Sequence, residues 1–82
     1  MTEYWLIHGN CSVTRSNASS VYNTEEEAVK EAQGFREEIL AGVYDEEWGI
    51  EPEEREEMAK DVYLYEVLIG NGGIRRTTRI EF

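Results

Sequence analysis

The sequence predicts an α+β domain: a single antiparallel sheet of three to four strands, arranged as two hairpins, covered on one face by a main helix and accompanied by a short acidic second helix. Three observations carry this expectation. Both ends of the chain are rich in β-branched and aromatic residues, and Asn71-Gly72 marks a tight turn between the last two runs. Thr24 followed by Glu27 reads as a capping box at the start of a helix whose apolar residues recur on one side. Residues 24–61 hold fifteen of the eighteen acids, and sixteen of the eighteen are Glu, a better helix former than Asp. Strands, then helices, then strands make an antiparallel sheet with helices on one face.

The first run, YWLIH, admits two partners. Across a Gly9-Asn10 turn it pairs with CSVTR, setting His8 against Cys11, Leu6 against Val13 and Trp5 against Thr14. In the other arrangement SSVYN is the second strand and residues 10–18 are loop. The main helix opens after Thr24, with Glu25, Glu26 and Glu27 at the positive end of its dipole, and Gly42 is placed to end it. Ala28, Ala32, Phe35, Ile39 and Val43 form the expected buried stripe. Gly34, in the helix interior, costs about 1 kcal/mol relative to Ala and implies a close crossing over the sheet. Pro52 suits the first position of the second helix, which runs to about Lys60 and is weakly held, with Ile50, Met58 and Ala59 as its apolar anchors. Closing Asn71-Gly72 as a two-residue turn pairs Ile69 with Ile74, Val67 with Arg76, Tyr65 with Thr78 and Tyr63 with Ile80. It also sets Glu66 opposite Thr77, between Arg75 and Arg79.

A chain of 82 residues with 40% hydrophobic residues makes one domain, 1–82, with a thin core. No run approaches the roughly 18 apolar residues of a membrane span. The start of the chain lacks the basic-then-apolar layout of an export signal, so a cytoplasmic protein is expected. Cys11 is alone, which fits a reducing compartment, and the sequons at Asn10 and Asn17 are read as unused.

Motifs for catalysis are scarce. His8 and Cys11 make a pair across the first hairpin in one arrangement, but nothing is placed to orient them, and a half-buried His beside a small buried Cys is the simpler reading. Asp45, Glu46 and Glu47 lack the alternating ligands and central Gly of a calcium loop. No enzyme activity, cofactor or metal is expected. Arg75, Arg76 and Arg79 near Tyr63 and Tyr65 suggest a nucleic-acid face. However, the net charge of −10 repels nucleic acid, and Glu66 is placed to neutralise these arginines, so direct binding is not expected.

The charge distribution is the functional signal. Residues 24–61 set fifteen acids against Lys30, Arg36, Arg55 and Lys60, a net −11, whereas the two ends together carry +1. Glu-rich helical faces are commonly just solvated surface. Here Glu27 and Glu31, Glu53 and Glu57, and Glu57 and Asp61 stand four apart at a cost of about 0.2–0.5 kcal/mol each, which mixed charges would avoid. Residues 52–61, if helical, span about 15 Å with roughly one acid per 3 Å, near the one phosphate per 3.4 Å along a DNA strand. Arg55 and Lys60 dilute this to about one net charge per 5 Å.

In size, acidity and lack of catalytic motifs the chain resembles the small inhibitors that phages use against host nucleic-acid enzymes, the anti-CRISPR and anti-restriction DNA mimics. The resemblance covers the whole chain diffusely. Those proteins share no common motif, so no residue role carries over. It implies a non-enzymatic binding protein whose partner is a nucleic-acid-binding protein with a basic groove. The site expected from the residues is Glu46, Glu47, Glu53, Glu54, Glu57 and Asp61, anchored by Tyr44 and Trp48. The alternative is a sheet-mediated interaction or homodimerisation module using Tyr63, Tyr65 and an open strand edge, with the acidic face merely solvated.

Overall fold

The computed structural model describes residues 1–82 and has one four-stranded antiparallel sheet with helices packed on it. In chain order the elements are β1 (Thr2–His8), a 3₁₀ turn at Arg15–Asn17, β2 (Ser20–Tyr22), α1 (Glu25–Leu40), α2 (Asp45–Trp48), a second 3₁₀ turn at Pro52–Glu54, α3 (Arg55–Lys60), β3 (Val62–Gly70) and β4 (Gly73–Ile80). The sheet order is β2-β1-β3-β4, so both central strands come from the most apolar runs of the sequence.

β1 uses both of its edges, one for β3 and the other for one of its two candidate partners. One edge pairs with β3 from Thr2 opposite Leu68 to His8 opposite Val62, and the other pairs with Ser20–Tyr22. The arrangement with SSVYN as second strand is therefore the one adopted, and the Leu6–Val13 and Trp5–Thr14 pairs do not form. In the intervening segment Ser, Thr and Asn make local bonds: Asn17 donates to the Ser12 carbonyl at 2.9 Å, and the Thr14 N–H donates to it at 2.9 Å. Such bonds compete with a strand ladder.

Thr24 caps α1 by accepting the Glu27 N–H at 3.3 Å. The helix closes through a Schellman arrangement, with Gly42 N–H on the Ile39 carbonyl at 3.1 Å and Val43 N–H on the Glu38 carbonyl at 3.0 Å. Gly42 has φ +86°, and a Cβ there would lie 2.7 Å from an Arg55 nitrogen. Ala28, Ala32 and Ile39 are fully buried against Leu6, Val62, Leu64 and Ala59, with Phe35 at the margin of this core. Val43 lies past the turn and is 60% exposed, so the buried stripe ends at Ile39. Gly34 also departs from expectation: a Cβ there would meet nothing within 4 Å, so no close crossing requires it. Arg36 reaches inward instead of diluting the acidic surface. Its guanidinium donates to the carbonyls of Phe82 and Val62, both at 2.9 Å, and lies 3.8 Å over the Phe82 ring.

The opposite face of the sheet also buries apolar side chains, Trp5, Ile7 and Val67. The segment between β1 and β2 crosses this face. Arg15 meets Glu3 at 3.2 Å, and Glu3 accepts the Trp5 indole N–H at 3.1 Å. The β3–β4 hairpin turns at Asn71-Gly72 as expected, with Ile69 opposite Ile74, but a bulge follows between Leu68 and Ile69. Arg75 is the extra residue, and its side chain lies across Gly70, where a Cβ would sit 2.6 Å from Arg75 Nε. Beyond the bulge every expected pair moves by one residue: Val67 faces Thr77, Tyr65 faces Arg79 and Leu64 faces Ile80. That shift turns Ile80 toward the helix-side core. The hairpin extends as an arm, and the radius of gyration, 13.5 Å, exceeds the roughly 12 Å of a compact chain of this length.

Candidate functional site

The acidic segment is not one helix. α2 is a single turn ended by Gly49 with φ +64°, and Pro52 opens a 3₁₀ turn that runs into α3. Packing therefore holds the segment in place, since helices this short have little stability of their own. Three devices fix it. Ile50 and Ala59 are buried. Arg55 forks onto Asp45, with Nε 3.0 and 3.2 Å from the two carboxylate oxygens and a terminal nitrogen on Oδ2, which ties α2 to the start of α3. The hydrogen bonds from Arg55 hold the Asp45 carboxyl below its ordinary range, partly offset by desolvation.

The third device is an aromatic stack. Trp48 lies between Tyr44, with ring centroids 4.5 Å apart, and His8, at 5.0 Å. Phe35 meets all three rings edge-on. His8 Nε2 sits 3.1 Å from the Met58 carbonyl, so β1, α1, α2 and α3 converge on this cluster. Tyr44 donates its hydroxyl to Glu38 at 3.1 Å, and burial, followed by the Glu38 hydrogen bond, raises its pKa. Tyr44 and Trp48, expected as anchors for a partner, thus spend most of their surface inside the molecule. Trp48 keeps 37% exposure.

The expected carboxylates divide into two groups. Glu46, Glu47, Glu53 and Glu57 are exposed and make no ion pair or hydrogen bond within the chain. Glu56 joins them, a neighbour the sequence reading passed over. Glu54 instead accepts the Glu51 N–H at 3.0 Å and closes the turn at Pro52. Asp61 ends α3 and receives the Tyr63 hydroxyl at 3.4 Å, which couples it to β3. Without these two, Glu53, Glu56 and Glu57 supply about one free carboxylate per 5 Å of the roughly 15 Å run. Arg55 no longer dilutes them, because its charge is held by Asp45, whereas the exposed, unpaired Lys60 still does.

The remaining candidates separate. Cys11 is exposed rather than buried, and its sulfur approaches the His8 carbonyl at 3.8 Å while the His8 ring turns into the stack, so the two make no nucleophile pair. No three His, Cys, Asp or Glu side chains converge as metal ligands, and no helix is long and apolar enough to cross a membrane. Glu66 does not neutralise the hairpin arginines. The bulge places it opposite Thr78, and it accepts the Tyr4 hydroxyl at 3.4 Å. Arg79 rests 4.6 Å over the Tyr63 ring, and its nearest acid is the exposed Glu81 at 3.7 Å.

Comparisons of the chain with protein-family models, curated proteins and solved structures found no match.

Proposed function

We propose that the protein is a non-enzymatic acidic binding protein that seats its helical layer in the basic, nucleic-acid-binding groove of a partner protein, as a cytoplasmic DNA mimic of the anti-CRISPR or anti-restriction kind. One observation carries the reading: Glu46, Glu47, Glu53, Glu56 and Glu57 stand exposed without a cationic partner on a segment fixed by an ion pair and an aromatic stack. A fixed anionic surface loses little freedom on docking. It steers a basic partner at long range and releases the counterions held in that partner's groove. The exposed, unpaired Cys11 fits a reducing compartment.

The test is a four-site neutral variant, E46Q/E47Q/E53Q/E57Q, compared with wild type as an immobilised bait in cell lysate at low and high salt. The reading expects nucleic-acid-binding proteins retained by wild type at low salt and lost by the variant. Equal retention by both baits would refute it.

A sheet-mediated contact is the second reading, favoured by the position of β4 at the sheet edge with Ile74 46% exposed. The charges of the strand oppose self-pairing. An antiparallel two-fold contact centred on Thr77 would set Arg75 against Arg79 of the other copy, and like charges directly opposite destabilise a sheet. Such a contact would also be nearly indifferent to salt, unlike occupation of a basic groove.

A further inference from the structure

We propose that the groove between β2 and α1 receives a single arginine side chain presented by a partner protein. The groove has a volume of about 220 Å³ and lies on the helix side of the sheet, apart from the α2–α3 carboxylates. Its apolar lining comes from Leu6, Tyr22, Phe35 and Tyr44, and Glu31 and Glu38 stand along the α1 wall. Glu31, Phe35 and Glu38 lie four and three residues apart, so one ridge of the helix presents a carboxylate, an aromatic ring and a second carboxylate in sequence.

The two carboxylates are not equivalent. Glu38 already accepts the Tyr44 hydroxyl, whereas Glu31 is exposed and has no ion pair or hydrogen bond in the chain. The ligand's charge therefore belongs at Glu31, with an aliphatic stem along Phe35 and Tyr22 and the Ser19 and Ser20 hydroxyls able to accept from its remaining N–H groups. A guanidinium fits this better than an ammonium, because it is planar, forks onto a carboxylate and stacks on aromatic faces. One metal ion does not fit. Glu31 and Glu38 stand about 10 Å apart along the helix axis, Glu38 is already engaged by Tyr44, and no third acidic, His or Cys ligand joins them. A neutral apolar ligand would desolvate Glu31 without compensation. The net charge of −10 draws cations to the groove. That the arginine comes from a protein rests on the basic-groove reading above.

Nuclear magnetic resonance titration of the full chain with Nα-acetylarginine amide, using Nα-acetylcitrulline amide as the uncharged control, tests the proposal. The expected result is saturable shifts at Ser20, Tyr22, Glu31, Phe35 and Tyr44 with millimolar affinity for the arginine compound, and none for citrulline. E31Q weakens binding about tenfold, as loss of a charge-assisted hydrogen bond should, and E37Q, altered at an exposed carboxylate outside the groove, binds as wild type. Failure to saturate, equal binding of citrulline, or equal losses in E31Q and E37Q would overturn the proposal. The probe does not involve Glu46, Glu47, Glu53 or Glu57. Its failure therefore leaves salt-sensitive capture through those residues intact, and loss of that capture leaves this titration intact.

Discussion

Replacing Trp48 by Ala removes the middle ring of the stack that fixes the acidic layer. Trp48 contacts Tyr44 and His8 face to face and Phe35 edge-on. Each such pair is worth about 0.5–1.5 kcal/mol beyond area burial. Trp48 is 37% exposed, so the loss falls below the roughly 3–5 kcal/mol of a fully buried Trp→Ala change. About 2–3 kcal/mol results, a large share of the roughly 4–12 kcal/mol expected for a chain of this length. Urea denaturation followed by the fluorescence of Trp5, the remaining tryptophan, reads the change directly, since Trp5 is buried on the opposite face of the sheet. The midpoint should fall with an unchanged slope, and amide hydrogen exchange over residues 45–61 should accelerate more than exchange in β1 and β3. A loss under about 0.5 kcal/mol with exchange unchanged would refute the reasoning, because the layer would then be held by something other than the stack.

The two glycines of the α1 region give opposite expectations in the same denaturation assay. Gly34→Ala should stabilise by about 0.5–1 kcal/mol, because the helix has room for a methyl group there. Gly42→Ala should destabilise by at least about 1 kcal/mol, since it places a Cβ at positive φ and against Arg55. The Asp45–Arg55 pair gives a pH signature. The folded-state pKa of Asp45 is lowered, so its contribution is fully present above the ordinary carboxylate range and is lost as pH falls through the lowered value. The stability difference between wild type and D45N should therefore shrink in acid, and a constant difference from neutral to acid pH would contradict it.

Much of the fold was legible because local signals agreed with one another. Thr24, the Glu-rich first turn and Gly42 bounded α1, and Asn71-Gly72 placed the last turn. The errors arose where tertiary demands outweighed local pattern. The bulge at Arg75 has no mark in a run of alternating residues, yet it reassigns every later pair and takes Glu66 from between Arg75 and Arg79. The partner of β1 was open between two segments, and Ser20–Tyr22 takes the edge while the Ser, Thr and Asn of residues 12–17 bond locally instead. At the candidate site, charge asymmetry was plain in the composition, but the division of labour among the acids was not. Glu54 and Asp61 do local structural work, and Tyr44 and Trp48 commit most of their surface to a stack that His8 and Phe35, distant in sequence, complete. The β2–α1 groove left a partial trace in the spacing of Glu31, Phe35 and Glu38, but its opposite wall depends on which strand pairs with β1.

Competition with duplex DNA tests the functional claim most directly. Proteins captured on the immobilised chain at low salt should be released by excess duplex DNA, and raising the salt without DNA should also release them. Captured proteins that resist both DNA and salt, yet are lost when Tyr65 and Ile74 are replaced by Ala, would contradict the account and move the binding surface to the sheet.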